Sequence, residues 1–126
     1  MQGSQSVIAV GNELGTGLPK LLLSLKEHGF DLIQAGNAED LLTLLGRNQS
    51  VIIVAFESRG KDTARRVLQT VAEAQRKIPV VVVTSEGSFE EYYELMSEGA
   101  YDYFDPREGP EVIERSVRWA AGARAA

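Results

Sequence analysis

Short apolar runs alternate with amphipathic segments along the whole chain. The runs are rich in valine, isoleucine or aromatic residues, and the segments between them repeat their apolar residues every three or four positions, as an α-helix does. The runs occupy 6–10, 31–35, 51–56, 80–84 and 100–104. Two of them, 51–56 and 80–84, are almost uninterrupted, which is typical of strands covered on both faces. The pattern predicts five strands that alternate with five helices.

Capping signals indicate where the helices begin. Pro19 and Pro110 suit first turns, because a backbone N–H is not needed there. Asn37 can cap the second helix, and Ser88 with Glu91 forms a capping box for the fourth. Four leucines are expected on the buried side of the second helix: Leu41, Leu42, Leu44 and Leu45.

The order of the elements predicts the fold class. Parallel strands need crossover connections, and right-handed crossovers place helices on both faces of a sheet. The chain has no internal repeat and no low-complexity linker. We therefore expect one α/β domain over 1–126, with a doubly wound sheet of five parallel strands. Ligands of such folds bind at the carboxyl ends of the strands.

Composition narrows the function classes. The chain of 126 residues is 44% hydrophobic and 25% charged, as a globular domain is. Its net charge of −5 opposes binding to nucleic acid or to an anionic membrane, because phosphate contacts need clustered cations. It has no cysteine, no apolar run of membrane-spanning length and no secretory pattern at its start. We expect a cytoplasmic domain that forms part of a longer chain.

One interpretation of the loop after the first strand is a dinucleotide-binding site. Residues 11–17 read GNELGTG, a GxxxGxG spacing that is similar to the cofactor loop of short-chain dehydrogenases. Glycines there let backbone N–H groups approach a pyrophosphate at a helix N-terminus. The Tyr-x-x-x-Lys pair of that family is absent, since Tyr92 is followed at that spacing by Met96. A dinucleotide-binding, Rossmann-like fragment is the alternative hypothesis.

The second half of the chain resembles the end of a response-regulator receiver domain. That family has an apolar strand ending in threonine or serine, then a helix, a Gly-Ala pair, an aromatic residue and Lys-Pro. Here the strand ends at Thr84, Gly99 and Ala100 follow the helix, and Tyr103 stands at the family's spacing from Thr84. The resemblance implies a flavodoxin-like (βα)5 receiver fold over essentially the whole chain.

The resemblance also implies a phosphorylation pocket, from which this chain departs. A working receiver binds magnesium through two acidic residues after the first strand and an aspartate ending the third, which accepts the phosphoryl group. These positions fall on Gly11, Asn12 and Ala55. The phosphate-binding lysine falls on Pro106, or on Asp105 with a one-residue gap. The pocket is therefore predicted to be degenerate, with no catalytic residue and no metal.

Four other residues near this pocket have two interpretations each. Glu13 and Glu57 can hold a cation weakly or stand as solvated loop carboxylates. Thr84 and Tyr103 keep the residue types of the family's switch pair, whose threonine moves toward phosphate while the aromatic side chain swings inward. Alternatively, Thr84 caps a strand and Tyr103 packs with its hydroxyl in water.

Aromatic residues gather around the fourth helix and fifth strand. This side is the expected protein-contact face, because aromatic side chains are enriched in interfaces. The residues are Phe89, Tyr92, Tyr93, Tyr101 and Tyr103. Trp119 either fills an edge of the core or adds to an interface.

These patterns favour a phosphorylation-independent receiver domain that acts as a protein-interaction or regulatory module in bacterial signal transduction. It is not expected to be an enzyme or to hold a cofactor. The expected partner is another protein or a fused output domain, and a homodimer through the face of the fourth helix, fifth strand and fifth helix stays open. A receiver with unorthodox phosphotransfer is the second alternative.

Overall fold

One parallel sheet of five strands lies between two layers of helices in the computed structural model. The structure describes residues 5–11, 18–47, 51–57, 62–85 and 87–125. The elements are β1 Ser6–Val10, α1 Leu18–Glu27, β2 Asp31–Ala35, α2 Ala38–Arg47, β3 Val51–Glu57, α3 Thr63–Glu73, β4 Val80–Thr84, α4 Phe89–Ser97, β5 Asp102–Phe104, a 3-10 helix Pro106–Glu108 and α5 Pro110–Ala125. The predicted alternation of strands and helices is confirmed.

The strand order is β2-β1-β3-β4-β5, and each neighbouring pair is parallel. From β1 the chain moves to β2 at one edge of the sheet. From β3 it moves through β4 to β5 at the opposite edge. The switch point lies between β1 and β3, where the register pairs Val10 with Ala55. The doubly wound, flavodoxin-like fold expected from the sequence is confirmed.

The three central strands are buried on both faces. Successive side chains of a strand point to opposite faces, so each strand contributes to two cores. Ile8, Ile53 and Val82 pack toward α2 and α3, whereas Val7, Ile52 and Val81 pack toward α1 and α5. All six are 0% exposed. Burial of one such side chain contributes about 2 kcal/mol, so these strands hold the domain together.

Helix ends follow the capping signals with one change. The side chain of Asn37 accepts the N–H of Asp40 at 2.9 Å, and Ser88 Oγ accepts the N–H of Glu91 at 3.1 Å. The predicted capping box at α4 has only this serine half, because the Glu91 carboxylate accepts a hydrogen bond from Tyr103 instead. None of the helices in the described part of the chain has both the length and the apolar character of a membrane-spanning helix.

Two further predictions at element level are wrong. Leu42 is 59% exposed, because α2 packs through Ala38, Leu41 and Leu45 on the adjacent side of the helix. The fifth strand begins at Asp102 rather than at residue 100, because the N–H of Ala100 closes the end of α4 by donating to the Leu95 carbonyl.

We predict that two adjacent leucines of α2 respond very differently to truncation. Leu41→Ala should lower the free energy of unfolding by about 2–5 kcal/mol, because Leu41 is fully buried and its removal leaves a cavity. Leu42→Ala is the matched control and should change it by no more than about 0.5 kcal/mol. Urea unfolding followed by circular dichroism measures both. Equal losses would contradict the packing of α2.

Candidate functional site

The described residues of the predicted pocket lie at the carboxyl edge of the sheet. Gly11 directly follows β1, Ala55 lies near the end of β3, and Thr84 ends β4. The register pairs Ala55 with Val10 and Val82, and it pairs Thr84 with Glu57. The fold therefore brings these positions to one edge. Asn12 and Glu13, with the remainder of the glycine loop over 12–17, lie outside the described residues.

Gly11 approaches the backbone of β3 closely. Its N–H donates to the Ala35 carbonyl at 2.9 Å, and its φ is +122°, a value that side-chain-bearing residues rarely adopt. A β-carbon at this position would lie 2.7 Å from the carbonyl oxygen of Phe56. The backbone thus fills the space into which a side chain would have to project.

Ala55 is part of the hydrophobic core. It is 0% exposed and belongs to the buried cluster that also contains Val10, Ala64 and Val82. A methyl group offers no oxygen as a nucleophile or as a metal ligand. At this position the carboxyl end of β3 contributes packing and no polar chemistry.

Glu57 caps α3. Its two carboxylate oxygens accept the backbone N–H groups of Thr63 at 3.2 Å and of Ala64 at 2.8 Å. Asp62, the residue at the cap position itself, has a left-handed backbone and makes no side-chain cap. A carboxylate at a helix N-terminus is favoured by the exposed N–H groups and the helix dipole. Glu57 is therefore half-buried and engaged, and the expectation of a solvated loop carboxylate is wrong.

The described residues do not fit a divalent cation. Gly11 and Ala55 have no ligand oxygens in their side chains, and both oxygens of Glu57 are used by α3. In the part of the chain that the structure describes, acidic and histidine side chains do not gather in threes. A hard cation such as magnesium needs several oxygen ligands, and the described residues of this edge do not supply them.

The loop after β5 is anionic where the resemblance expects a lysine. Pro106 begins the 3-10 helix, and the preceding Asp105 caps that helix with Glu108 as the reciprocal partner. The Asp105 carboxylate also accepts from the Arg107 guanidinium at 2.6 and 3.0 Å. These hydrogen bonds from Arg107 lower the pKa of Asp105 to about 2. The positive charge of Arg107 is therefore paired within the loop.

Tyr103 is held by a carboxylate of α4. Its hydroxyl donates to Glu91 Oε1 at 2.7 Å. Partial burial, the hydrogen bond to Glu91 and the negative charge of Glu91 all raise the pKa of Tyr103, so the phenol stays protonated and keeps donating. The alternative in which this hydroxyl points into water is wrong.

Gly87 lies close to both Thr84 and Tyr103. A β-carbon at Gly87 would overlap the Tyr103 hydroxyl and would lie 3.0 Å from Cγ2 of Thr84. Thr84 itself is 3% exposed. The two residues of the predicted switch pair thus both lie beside Gly87, and the absence of a side chain at Gly87 permits this arrangement.

The aromatic residues of α4 form a connected cluster with Tyr103. Phe89 packs edge-on against Tyr93 at 4.9 Å between ring centroids, and Tyr92 packs edge-on against Tyr103 at 5.5 Å. Tyr92 and Tyr93 also contact each other at 5.9 Å. Among the described residues, Tyr101 makes no ring contact with this cluster. We refer to Phe89, Tyr92 and Tyr93 as the α4 aromatic face.

The α4 aromatic face is exposed, as the sequence predicts for a contact surface. Phe89 is 73% exposed, Tyr93 is 61% exposed and Tyr92 is 38% exposed. Trp119 on α5 is 70% exposed, so it does not fill an edge of the core. Contiguous exposed apolar patches in proteins often mark interaction sites, whereas single exposed apolar residues are common.

Three residues important to this edge were not predicted in their observed roles. The sequence patterns place Glu91 in a capping box, and they place Glu57 either at a weakly held cation or in solvent. They give no indication of the role of Gly87. Their contacts join residues of different elements, which no local spacing rule describes. Only Glu57 had a sequence signal, as an acidic residue between a strand and a helix.

Solved structures that superpose on this chain include receiver domains and related response-regulator proteins. The structure described as FixJ-N superposes with a TM-score of 0.80 at 22% identity, covering 97% of this chain and 96% of that chain. A receiver domain protein from Clostridium thermocellum gives a TM-score of 0.80 at 16% identity, with 96% and 97% covered. The chemotaxis protein CheY4 of Vibrio cholerae gives 0.77 at 18%, with 94% and 99% covered.

Sequence comparison adds no closer relationship. No protein-family model matches the chain, and no curated protein matches it. The structural likeness extends over nearly the whole chain, whereas the identities are low enough to establish the fold alone. The chain has the five-stranded fold of response-regulator receiver domains, and a dinucleotide-binding Rossmann fragment is not favoured.

Proposed function

We propose that this domain is a phosphorylation-independent receiver, a regulatory module that works through protein contacts. The observation that carries the proposal is Ala55, which is fully buried near the carboxyl end of β3 where the resemblance places the phosphoacceptor. An aspartyl phosphate needs a carboxylate, and a methyl group cannot replace it. The domain is accordingly proposed to be neither an enzyme nor a cofactor carrier.

The surroundings of Ala55 support the same proposal. Gly11 leaves no space for an acidic side chain against Phe56, and Glu57 is committed to α3. Phosphoryl transfer depends on neutralising charge around the moving group. The described residues of this edge provide neither a cation site nor a lysine that could neutralise this charge. Arg107, which is nearby in sequence, is already paired with Asp105.

A protein contact through α4 is the proposed output. Tyr103 couples the loop over Thr84 to the α4 aromatic face, because its hydroxyl binds Glu91 and its ring packs on Tyr92. Receiver-fold relatives occur in a LuxR-family DNA-binding response regulator and a modulated diguanylate cyclase. By analogy, the partner here is a separate protein or a fused output domain in a bacterial, cytoplasmic signalling pathway. A homodimer through α4, β5 and α5 is the second candidate.

Incubation with acetyl phosphate and magnesium tests the phosphorylation proposal. We expect no mass increase by intact-protein mass spectrometry, because Ala55 has no acceptor oxygen. A receiver that carries the acidic pair and the aspartate serves as the positive control under the same conditions.

Stoichiometric addition of one phosphoryl group would overturn phosphorylation independence. If Glu57→Gln abolished that addition while Glu39→Gln on α2 did not, the unorthodox phosphotransfer alternative would be established with Glu57 as acceptor.

Substitution of Gly11 tests whether the backbone excludes a side chain from this position. Gly11→Ala should lower the free energy of unfolding by about 2 kcal/mol or more, because of its positive φ and the close Phe56 carbonyl. Gly46→Ala is the control: its β-carbon would meet nothing within 4 Å on α2, and the change should stabilise the domain by about 0.5–1 kcal/mol. A neutral Gly11→Ala in urea unfolding would show that the position accepts a side chain.

Removal of the Tyr103 hydroxyl tests the link to α4. Tyr103→Phe should cost about 1 kcal/mol, since it deletes a hydrogen bond to a carboxylate, and Tyr101→Phe should cost nothing measurable. The raised pKa of Tyr103 means that its contribution is fully present below the unfolded value near 10 and is lost as pH rises toward the folded value.

A double-mutant cycle with Glu91→Gln separates this contact from other effects. We expect the two substitutions to be non-additive in urea unfolding, as for residues in direct contact. Additive losses would mean that Tyr103 and Glu91 do not depend on each other.

A further inference from the structure

Acidic residues surround the α4 aromatic face, and α4 itself contains no basic residue. The helix reads FEEYYELMS, with three glutamates and neither lysine nor arginine. Helical spacing places Phe89 and Tyr93 on one exposed strip and Glu90 and Glu94 on the strip beside it. The surface therefore presents aromatic rings and carboxylates together.

The rings are held in place before any partner binds. Phe89 and Tyr93 contact each other edge-on, and Tyr92 is supported from below by Tyr103. Tyr103 is fixed in turn by its hydrogen bond to Glu91. Binding to a surface that is already ordered costs less conformational entropy than binding to a mobile one.

The same helix already binds a guanidinium within the domain. Arg65 of α3 donates to Glu94 at 2.9 Å and lies 3.4 Å from Glu98. These carboxylates raise the pKa of Arg65, so the guanidinium stays charged. Glu90, one turn before Glu94, is exposed and lies beside the aromatic rings.

Resting on the protein-contact role proposed above, we propose that the α4 aromatic face binds a cationic protein segment through arginine side chains. A guanidinium stacks on Phe89 or Tyr93, where the ring face attracts a cation, and Glu90 pairs with the same or a neighbouring arginine. The net charge of −5 of the chain attracts such a segment to the domain.

A second copy of the chain fits this surface less well than a basic partner. A two-fold contact centred on α4 would place the glutamates of one copy against those of the other. Like charges brought together in an interface oppose binding. Charge complementarity therefore favours a partner of opposite sign.

Nuclear magnetic resonance titration with two synthetic peptides tests the proposal. One peptide consists of arginine, leucine and alanine, and the other has glutamate in place of every arginine. The arginine peptide should shift the amide signals of α4 and β5 selectively, and the glutamate peptide should shift none. Phe89→Ala combined with Tyr93→Ala should weaken binding about tenfold, because two exposed ring contacts are lost.

Matched variants separate the site from general attraction to an acidic protein. Glu90→Lys should weaken binding several-fold, whereas Glu39→Lys, in the first turn of α2, should leave it unchanged apart from the shared effect on net charge. Leu42→Ala is the control for loss of exposed apolar surface. Glu90, Glu39 and Leu42 are all exposed, as are Phe89 and Tyr93, so these variants are expected to fold.

The proposal would be overturned if the arginine peptide bound to another surface. It would also be overturned if the double aromatic variant bound the peptide with the same affinity as the unchanged domain. Concentration-dependent dimerisation abolished by the same aromatic substitutions, without peptide binding, would identify a second copy as the occupant instead. Neither result bears on phosphorylation independence, which the acetyl phosphate experiment decides separately.

Discussion

Burial of β1, β3 and β4 on both faces is the constraint on which the rest of the domain depends. Alternate side chains of each strand enter opposite cores, so a shift of one residue would exchange the two sets and leave both badly packed. The pairing of Ala55 with Val10 on one side and with Val82 on the other follows from this requirement. The same register brings Gly11, Ala55 and Thr84 to one edge of the sheet, whatever the chemistry of those residues.

At that edge, contacts that stabilise the fold occupy the positions to which the sequence resemblance assigns a receiver's charges. Gly11 lets two strand ends approach, Ala55 completes a core, and Glu57 supports the beginning of α3. Tyr103 joins the neighbouring loop to α4 through Glu91. A population shift requires a ligand that binds two states with different affinity. This edge, as far as it is described, offers such a ligand little chemistry, which is consistent with the proposal that a partner acts through α4.

Periodicity predicted the fold well because the signals were local and repeated. The bounds of β2 and β4 follow directly from the apolar runs 31–35 and 80–84. Periodicity was a poor guide where several residues of the same type could occupy one position in the structure, or where one residue had two possible partners. Four leucines shared the expected face of α2, and only packing against α3 and the sheet decided that Leu42 is exposed. Glu91 could cap its own helix, yet Tyr103, brought near by the parallel pairing of β4 with β5, offered it a hydrogen-bond donor.

The central proposal is that the edge around Ala55 does not respond to a phosphoryl group. Beryllofluoride with magnesium mimics an aspartyl phosphate, and backbone amide spectra report its effect residue by residue. We predict unchanged signals for Thr84, Tyr103 and α4 at saturating reagent, because Ala55 has no carboxylate to carry it. Saturable shifts at Thr84 and Tyr103 that require both reagents would contradict the account and would show that a phosphoryl-responsive switch survives.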